Sequence, residues 1–280
     1  MRTRTSIVPA AICQTPAVES KEQGLEASLR YVEKAASQGA ALVVLPEMFC
    51  CPYQNSAFAP NAEPAGGDVW RALSRAAKVC GVILVGGTFP ELGEDGRLYN
   101  TCFVFGEDGE QIARHRKIHL FDINIPGGLR FKESDTFTAG SDLTLFDAPW
   151  GKLGVIVCFD VRFPELARLL ALGGAGAIIV PAAFNMTTGP LHWELLMRAR
   201  AVDNLTYVLA CASARDESAR FVSYANSMVV SPWGETLARL EAEPGILHVR
   251  LDISEVARAQ HQIPVLSARR TDLYEIELRG

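Results

Sequence analysis

A cysteine follows a short apolar stretch near the middle of the chain. Residues 153–157, Leu-Gly-Val-Ile-Val, have the pattern of a buried strand, and Cys158 comes directly after them. Pro164 then opens a helical pattern, so the thiol is predicted to lie between the end of a strand and the start of a helix. This edge of an open α/β sheet collects catalytic groups, so Cys158 can act as a nucleophile. It can equally be a small apolar side chain of the core, because free cysteine is often buried.

Two charged residues stand at comparable positions after other predicted strands. Glu47 follows residues 40–46, and Lys117 ends the second strand of a predicted hairpin. If these strands are neighbours, a carboxylate, an ammonium group and the Cys158 thiol meet at one sheet edge. A neighbouring cation lowers the pKa of a thiol, and a carboxylate can accept the thiol proton and pass it to a leaving amine. With Lys117 and the backbone N–H of Phe159 stabilising an oxyanion, this set performs acyl transfer from an amide or a nitrile.

The same residue types allow other arrangements. Glu47 and Lys117 can form a structural ion pair, and thiol hydrolases also use a Cys–His pair. His115 and His119 bracket Lys117 and could bind a metal, but no third ligand of matching placement is found. No P-loop, H-E-x-x-H, G-x-S-x-G or G-x-G-x-x-G motif occurs, and neither a metal nor a cofactor is expected. The remaining histidines, any of which could reach the thiol, are His192, His248 and His261.

Composition narrows the class of protein. The 280 residues are 49% hydrophobic and 21% charged, as in a globular protein that buries a core of its own. The net charge of -5 and the scattered Lys and Arg residues argue against nucleic acid or a membrane as a partner. Seven cysteines without a C-x-x-C pair argue against a disulfide framework and indicate a reducing compartment. Neither a signal-peptide core nor a membrane-spanning run is found, so a cytoplasmic protein is predicted.

Apolar patterns of strand and helix type alternate along the chain. A mixed α/β fold in one domain over residues 1–280 is therefore expected, with a C-terminal tail, about 263–280, that can dock on a partner subunit. The stretch 117–146 is predicted as a long functional loop. Helices are predicted at 22–36, after a cap at Asp68, from Pro164, at 191–204 and after a cap at Ser254. Strands are predicted at 6–13, 40–45, 81–86, 99–105, 111–116, 153–157, 177–181, 207–212, 227–231, 235–240 and 246–251.

Three blocks of the sequence surround the candidate residues. They are Leu45-Pro46-Glu47-Met48-Phe49, His115-Arg116-Lys117-Ile118-His119-Leu120-Phe121 and Gly154-Val155-Ile156-Val157-Cys158-Phe159-Asp160-Val161-Arg162-Phe163-Pro164-Glu165. In this order they resemble the signatures of the nitrilase, or carbon–nitrogen hydrolase, superfamily. The likeness covers nearly the whole chain, and within the superfamily it is greatest to the omega-amidases, through residues 184–194, 198–204, 262–265 and 270–274. It implies a four-layer αββα sandwich that dimerises into an eight-layer αββααββα assembly, so a homodimer or a higher homo-oligomer is expected.

The resemblance implies a role for each matching residue of the catalytic centre. Glu47 is expected to be the general base and acid, Lys117 the oxyanion stabiliser and Cys158 the nucleophile. Glu133, in the predicted long loop, matches a second glutamate that orients Lys117 and the leaving amine. The adjacent pair Gly127-Gly128 is predicted to be more flexible than this loop requires, which bears on how the loop selects substrates by length.

The resemblance also implies a substrate, a short dicarboxylic monoamide. The expected reaction hydrolyses omega-amides of dicarboxylic or 2-oxo-dicarboxylic acids to the acid and ammonia, with water, through a cysteine thioester. The free carboxylate of such a substrate needs a cation, and Arg162 matches a position that could hold it. Alternatives are a sister-branch enzyme acting on a deaminated glutathione, an N-carbamoyl amine or a nitrile, and a non-catalytic binding protein on the same scaffold. Further matching pocket positions are Tyr53, Phe184, Thr188 and Phe159, where the family often has tyrosine.

Overall fold

The computed structural model describes residues 6–125 and 130–278, and within these ranges helices and strands alternate as predicted. Two single turns of 3₁₀ helix, Glu133–Asp135 and Cys158–Arg162, carry predicted site residues. The helices are α1 (Lys21–Ser37), α2 (Asn55–Asn61), α3 (Asp68–Cys80), α4 (Pro164–Leu172), α5 (Gly189–Asn204) and α6 (Ser254–Gln262). The strands are β1 (Ile7–Gln14), β2 (Leu42–Val44), β3 (Ile83–Val85), β4 (Phe89–Leu92), β5 (Leu98–Phe105), β6 (Gln111–Arg116), β7 (Asp122–Asn124), β8 (Arg130–Lys132), β9 (Thr144–Ala148), β10 (Gly151–Val155), β11 (Ala175–Ala182), β12 (Tyr207–Ala212), β13 (Met228–Val230), β14 (Thr236–Arg239) and β15 (Gly245–Asp252).

The strands form two large mixed sheets. In the first sheet, β15, β1, β2, β3 and β5 are neighbours in that order. Strand β4 pairs with the same edge of β5 as β3 does, and β6 pairs with the opposite edge of β5. In the second, the order is β14-β13-β12-β11-β10-β9. The central strands are parallel in both sheets, β1 to β3 in the first and β10 to β12 in the second. Their carboxyl ends therefore lie at common edges, where the predicted site residues follow them.

Alternating side chains of β1 show how the layers pack. Ala10 and Ile12 point into the core between the two sheets, while Ala11 and Cys13 point into a second core with α1 and α3. Helices α4 and α5 pack against strands of the second sheet on its outer side. Each fully buried aliphatic side chain contributes about 1.5–3 kcal/mol relative to an exposed position. The result is the predicted αββα sandwich.

Several local predictions were wrong. The stretch 117–146 is not a structureless loop: it contains the β7–β8 hairpin, one turn of 3₁₀ helix and the start of β9. Strand β4 and helix α2 were missed because each contains a proline, which argues against a regular element in sequence terms. Gly127-Gly128 lies outside the described residues. No helix in the described ranges has the length and apolar character needed to cross a membrane.

Two predicted helix caps are each displaced by one residue. Asp68 and Ser254 are the first residues of their helices rather than the capping residues. The Glu63 carboxylate accepts from the backbone N–H of Asp68 and of Val69, and the Asp252 carboxylate accepts from the N–H of Ser254. A carboxylate before each helix thus performs the capping that was assigned to its first residue.

Candidate active site

Cys158 lies on a sharp turn between β10 and α4. Its φ of +47° is in the left-handed region, which costs a residue with a side chain about 1–3 kcal/mol and is held only by its surroundings. The backbone N–H of Val157 donates to the Asp160 carboxylate at 3.0 Å, and the N–H of Asp160 donates to the Val157 carbonyl at 3.0 Å. The Cys158 Sγ accepts from the backbone N–H of Ala183, at the end of β11, at 3.5 Å. The turn therefore fixes the direction of the thiol.

Glu47 follows β2 on a second turn of the same kind. The next residue, Met48, has a φ of +51°, and its N–H donates to the Thr88 hydroxyl at 2.9 Å. Gly87 packs against this turn so closely that a Cβ there would collide with the carbonyl oxygen of Pro46. The Glu47 carboxylate is thereby presented from a backbone that has little freedom to move.

Lys117 lies between two carboxylates, all three groups being fully buried. Its Nζ donates to Glu47 Oε1 at 2.9 Å and to Glu133 Oε1 at 3.2 Å, and it forms an ion pair with Glu133 Oε2 at 2.8 Å. Glu133 Oε2 also accepts from the backbone N–H of Phe121 at 2.6 Å. Gly140 packs closely against the backbone before Lys117, and a Cβ at Gly140 would collide with the carbonyl oxygen of Arg116. The predicted catalytic residues Glu47, Lys117 and Glu133 are thus in direct contact.

A fourth polar side chain, Asn100 of β5, completes this cluster. Its Nδ2 donates to Glu47 Oε1 at 2.8 Å and to Glu133 Oε1 at 3.0 Å. Its backbone carbonyl accepts from the N–H of Lys117 at 2.9 Å. The other Glu47 oxygen, Oε2, is buried and has no hydrogen-bond partner among the described residues. One oxygen of Glu47 is therefore saturated with donors, and the other is open.

Burial and mutual charge set the protonation states of the cluster. Burial raises the pKa of Glu47, and the ammonium of Lys117 offsets part of that rise. Burial lowers the pKa of Lys117, but the charges of Glu133 and Glu47 outweigh burial, so the pKa stands well above its ordinary value. The ammonium form of Lys117 is therefore favoured, and Glu47 is a stronger base than an exposed carboxylate.

The pKa of the Cys158 thiol is set by opposing influences. Lys117 lowers this pKa, as expected of a neighbouring cation. Burial and the charge of Glu47 outweigh that effect and hold the pKa well above its ordinary value. The Glu47 carboxylate and the thiol influence each other's pKa, while Glu47 Oε2 has no hydrogen-bond partner among the described residues. The resting nucleophile is a neutral thiol beside a base.

The histidines that flank Lys117 do not contact the thiol. His115 Nε2 and His119 Nδ1 bond the two oxygens of Asp160 at 3.2 and 2.9 Å, and the His119 backbone N–H also donates to Asp160, at 2.8 Å. Burial pushes the pKa of Asp160 up, but the bonds from His115 and His119 outweigh it and hold the pKa well below its ordinary value. Among the described residues, no group of three or more His, Cys, Asp or Glu side chains could hold a metal ion. These histidines link the Lys117 segment to the nucleophile turn.

A cavity of about 290 Å³ opens beside Glu47. Tyr53 lines it, stacked on Phe221 with ring centroids 4.6 Å apart, and its buried hydroxyl has no partner among the described residues. Arg220 and the Ala183 backbone also line the cavity. The predicted substrate-binding position Tyr53 thus lies on an open space next to the proposed base.

The other predicted substrate-binding residues lie outside the lining of this cavity. Arg162 is half-buried, with its Nη1 bonded to His192 Nδ1 at 3.1 Å and its guanidinium 4.9 Å from the centre of the Phe184 ring and 5.6 Å from that of Phe159. Burial lowers the pKa of Arg162, and the charge of Cys158 acts against that. The Thr188 hydroxyl donates to its neighbour Asn185 at 3.3 Å. Their contact with substrate stays a prediction.

Asn100 and Asp160 were not singled out from the sequence. Asn100 is a lone amide in an otherwise apolar stretch of β5, and Asp160 is two residues beyond the nucleophile. A polar residue in a buried strand must find partners, and that was the available signal for Asn100. The partners themselves depend on the packing of β5 against two distant turns, which no local pattern specifies.

The arrangement can perform nucleophilic acyl transfer. A neutral thiol lies beside a buried base, and a cation next to both can stabilise a developing oxyanion. Phe159 opens the Cys158–Arg162 turn of 3₁₀ helix together with Cys158, and N–H groups in the first turn of a helix can serve as further oxyanion donors. The geometry requires no metal for this chemistry.

Comparison with known proteins agrees with this chemistry. The family model described as carbon-nitrogen hydrolase matches residues 9–261. The curated omega-amidase NIT2-A of Xenopus laevis is 47% identical over 258 residues, which cover 92% of this chain and 93% of that protein. The crystal structure of Saccharomyces cerevisiae Nit3, a member of branch 10 of the nitrilase superfamily, has a TM-score of 0.86 at 38% identity and covers 94% of this chain and 97% of that one. A glutamate-to-glutamine mutant of the amidase from Nesterenkonia sp. AN1, with the acetamide moiety of fluoroacetamide bound covalently to its active-site cysteine, has a TM-score of 0.75 at 26% identity and covers 95% of each chain.

Proposed function

The chain belongs to the carbon–nitrogen hydrolase family, and from this premise we propose that it is an omega-amidase. It hydrolyses the terminal amide of short dicarboxylic or 2-oxo-dicarboxylic acids to the acid and ammonia. Curated omega-amidases support this assignment through 47% identity over nearly the whole chain. The observation that carries it is the buried Glu47–Lys117 ion pair, whose charges act on the Cys158 thiol, together with a half-buried cation, Arg162, that has no carboxylate partner among the described residues.

In the first half of the reaction, Cys158 attacks the amide carbon. Glu47 Oε2 accepts the thiol proton as the C–S bond forms, and the carbonyl electrons move onto oxygen. Lys117 has three N–H donors, of which two point at Glu47 and Glu133, so the third is available for this oxyanion together with the Phe159 N–H. Glu47 then passes its proton to the nitrogen, the C–N bond breaks, and ammonia leaves a thioester on Cys158.

In the second half, water replaces ammonia. Glu47, again ionised, accepts a proton from water as the water oxygen attacks the thioester carbon. The C–S bond breaks, the sulfur recovers the proton from Glu47, and the dicarboxylic acid leaves. Because Lys117 never needs to lose its proton, one cation serves both tetrahedral intermediates.

Arg162 supplies the preference for an acid-bearing amide in this proposal. The Arg162 guanidinium is half-buried and has no carboxylate partner in the described part of the chain, so it is already partly desolvated before the substrate binds. A hydrogen-bonded pair with the free carboxylate of the substrate contributes about 1.5–3 kcal/mol. We expect Arg162→Ala to lower kcat/KM for succinamate about 10- to 150-fold and to change kcat/KM for the neutral butyramide less than threefold. Equal losses on both amides contradict the role, and Arg71→Ala, on the exposed side of α3, is the matched control.

The proposed function is tested by ammonia release. Wild-type enzyme should release ammonia from 2-oxoglutaramate and succinamate, and Cys158→Ala should release none. Cys80→Ala removes a half-exposed thiol on α3 and should leave the rate unchanged. A wild-type enzyme that hydrolyses N-carbamoyl amines or nitriles but no monoamide belongs to a sister activity, and the proposal then fails.

We further propose a single-domain enzyme that works as a cytoplasmic homodimer. Leu191, Leu195 and Val202 form an exposed apolar stripe on α5, and Leu273 and Tyr274 of the C-terminal tail, about 263–280, are also exposed. All seven cysteines are free, as suits a reducing compartment. Light scattering of the wild type should give twice the mass of one chain, and Leu195→Glu should halve it. A wild-type monomer contradicts the dimer.

A further inference from the structure

Asn100 and Lys117 bridge the same two carboxylates. Lys117 Nζ and Asn100 Nδ2 each donate to Glu47 Oε1 and to Glu133 Oε1. One bridge is charged and the other is neutral. Asn100 and the three ionisable side chains are all fully buried, so water does not compete for these bonds.

We infer that Asn100 is a positioning residue that selects which oxygen of Glu47 acts as the base. This inference deepens the proposed function and rests on Glu47 being the general base. Oε1 accepts from both bridges, so its lone pairs are engaged, whereas Oε2 is buried without a partner among the described residues. The terminal torsion of a glutamate is broad and roughly two-fold, so without a second donor the two oxygens could exchange. The Asn100 amide holds Oε1 away from the thiol and leaves Oε2 for it.

A neutral donor suits this position better than a second cation. Two carboxylates against one ammonium leave the cluster with a net negative charge, which favours transfer of the Cys158 proton to Glu47. A second cation would cancel that charge and weaken the base. An acid in place of Asn100 would repel both carboxylates. The amide fixes the geometry and leaves the charge unchanged.

Asn100 is not placed for stability alone. Its Oδ1 is buried and has no partner among the described residues, which costs about 1–3 kcal/mol. Its neighbours in β5 are mostly apolar, and an apolar residue of the same shape would avoid this cost. A stability cost at a buried position that contacts two proposed catalytic acids indicates a functional requirement.

The test variant is Asn100→Leu, which keeps the shape of the side chain and removes both donors. We expect kcat/KM for succinamate to fall about 100- to 1,000-fold, by analogy with loss of one preorganised donor. The acid limb of its pH profile should move to higher pH, because a donor that favours the ionised acid is lost. The ionisable groups that face Asn100 in this pocket are Glu47, Glu133, Lys117, Cys158 and Tyr53, so the limb belongs to the coupled acid pair as a unit.

The matched control is Thr101→Val, at the next position of β5. Thr101 is equally buried, and its hydroxyl donates to Glu91 at 2.7 Å, on the other face of the strand. Thr101→Val should lower the melting temperature without moving the acid limb. If Asn100→Leu behaves like this control, the positioning role is refuted. If Asn100→Leu does not fold, Asn100→Ser, which keeps one donor, takes its place and should give an intermediate loss and shift.

Alkylation separates failure of this inference from failure of the proposed function. The rate at which iodoacetamide inactivates Cys158, followed by mass spectrometry, depends on Glu47 as base and on no particular substrate. The pH midpoint of this rate should rise in Asn100→Leu and stay fixed in Thr101→Val. If the wild type hydrolyses no monoamide and the midpoint still rises, the proposed function fails and the role of Asn100 stands. An unchanged midpoint overturns the role of Asn100 whatever the substrate.

Discussion

Glu47 and Asp160 are both buried carboxylates beside the nucleophile, and their pKa values move in opposite directions. Asp160 accepts four hydrogen bonds, divided between its two oxygens, from Val157, His115 and His119, and its pKa is held low against the effect of burial. Glu47 accepts two bonds, both at one oxygen, and burial raises its pKa. Burial is nearly the same for both, so the difference comes from the donors on each oxygen and from the charge of Glu133, which also raises the pKa of Glu47.

This difference separates Asp160, a carboxylate that fixes a turn, from Glu47, the carboxylate proposed to move a proton. A fully satisfied anion is a poor base, because accepting a proton would break several of its bonds. An anion with an open oxygen next to a thiol gains a partner when it accepts the thiol proton. The number of donors on each oxygen therefore favours Glu47 as the proposed general base among the three buried acids of the site, Glu47, Glu133 and Asp160.

The largest effect is expected from Glu47→Gln. The amide keeps the shape of the side chain and cannot accept the thiol proton, so kcat on succinamate should fall about 1,000- to 10,000-fold. Stability should be retained, because a buried charge is removed. Ammonia assays and thermal unfolding measure the two quantities. A variant with more than a tenth of wild-type kcat would show that another group is the base.

Asp160→Asn should act chiefly on stability. The asparagine amide places an NH₂ group where the carboxylate had an acceptor oxygen, so donors that bonded this oxygen lose their acceptor. Breaking a buried ionic cluster in this way costs about 3–5 kcal/mol. Urea unfolding at neutral pH measures this loss. If Asp160→Asn instead keeps its stability and loses all activity, the contrast between the two carboxylates is wrong.

The stability of these two variants should respond to pH with opposite signs. The folded-state pKa of Asp160 is low, so its stabilising contribution is present above its unfolded pKa of about 4 and is lost as pH falls below that value. The folded-state pKa of Glu47 is raised, so ionising it opposes folding as pH rises from about 4 through the raised pKa. From pH 3 to pH 7, the deficit of Asp160→Asn relative to wild type should grow, while Glu47→Gln should gain on wild type. Each unit of difference between the folded-state and unfolded-state pKa changes the free energy of unfolding by about 1.4 kcal/mol, which urea titrations at the two pH values measure.

Phe159→Tyr should give the smallest effect. Phe159 lies between the nucleophile and Asp160 in the chain, and its ring packs edge-on against Phe121 and Phe163. Its proposed catalytic group is the backbone N–H, which the substitution keeps. We expect kcat on succinamate to change less than threefold, in contrast to the loss expected for the preceding residue, Cys158. A tenfold change would mean that the side chain takes part in the reaction.

The sequence predicted those parts of the site that follow regular strands. Glu47, Lys117 and Cys158 each come directly after an apolar run, so position alone suggested that they meet. Glu133 could be identified as a site residue only through the family resemblance, because its segment was predicted as an unstructured loop. The partners of Asn100 depend on the register of strands far apart in sequence. The sign of the Cys158 pKa shift depends on whether burial outweighs one cation, and local patterns do not give that balance.

Gly87 and Gly140 limit how this enzyme can be altered. They contact the backbone behind Glu47 and behind Lys117, where a methyl group would have no room. Laboratory evolution towards new amides can change the cavity wall at Tyr53 or Phe221 while the catalytic groups stay in register. Substitution of either glycine would instead displace a catalytic segment as a whole. Libraries that leave these two glycines unchanged should therefore retain a larger fraction of active clones than libraries that vary them.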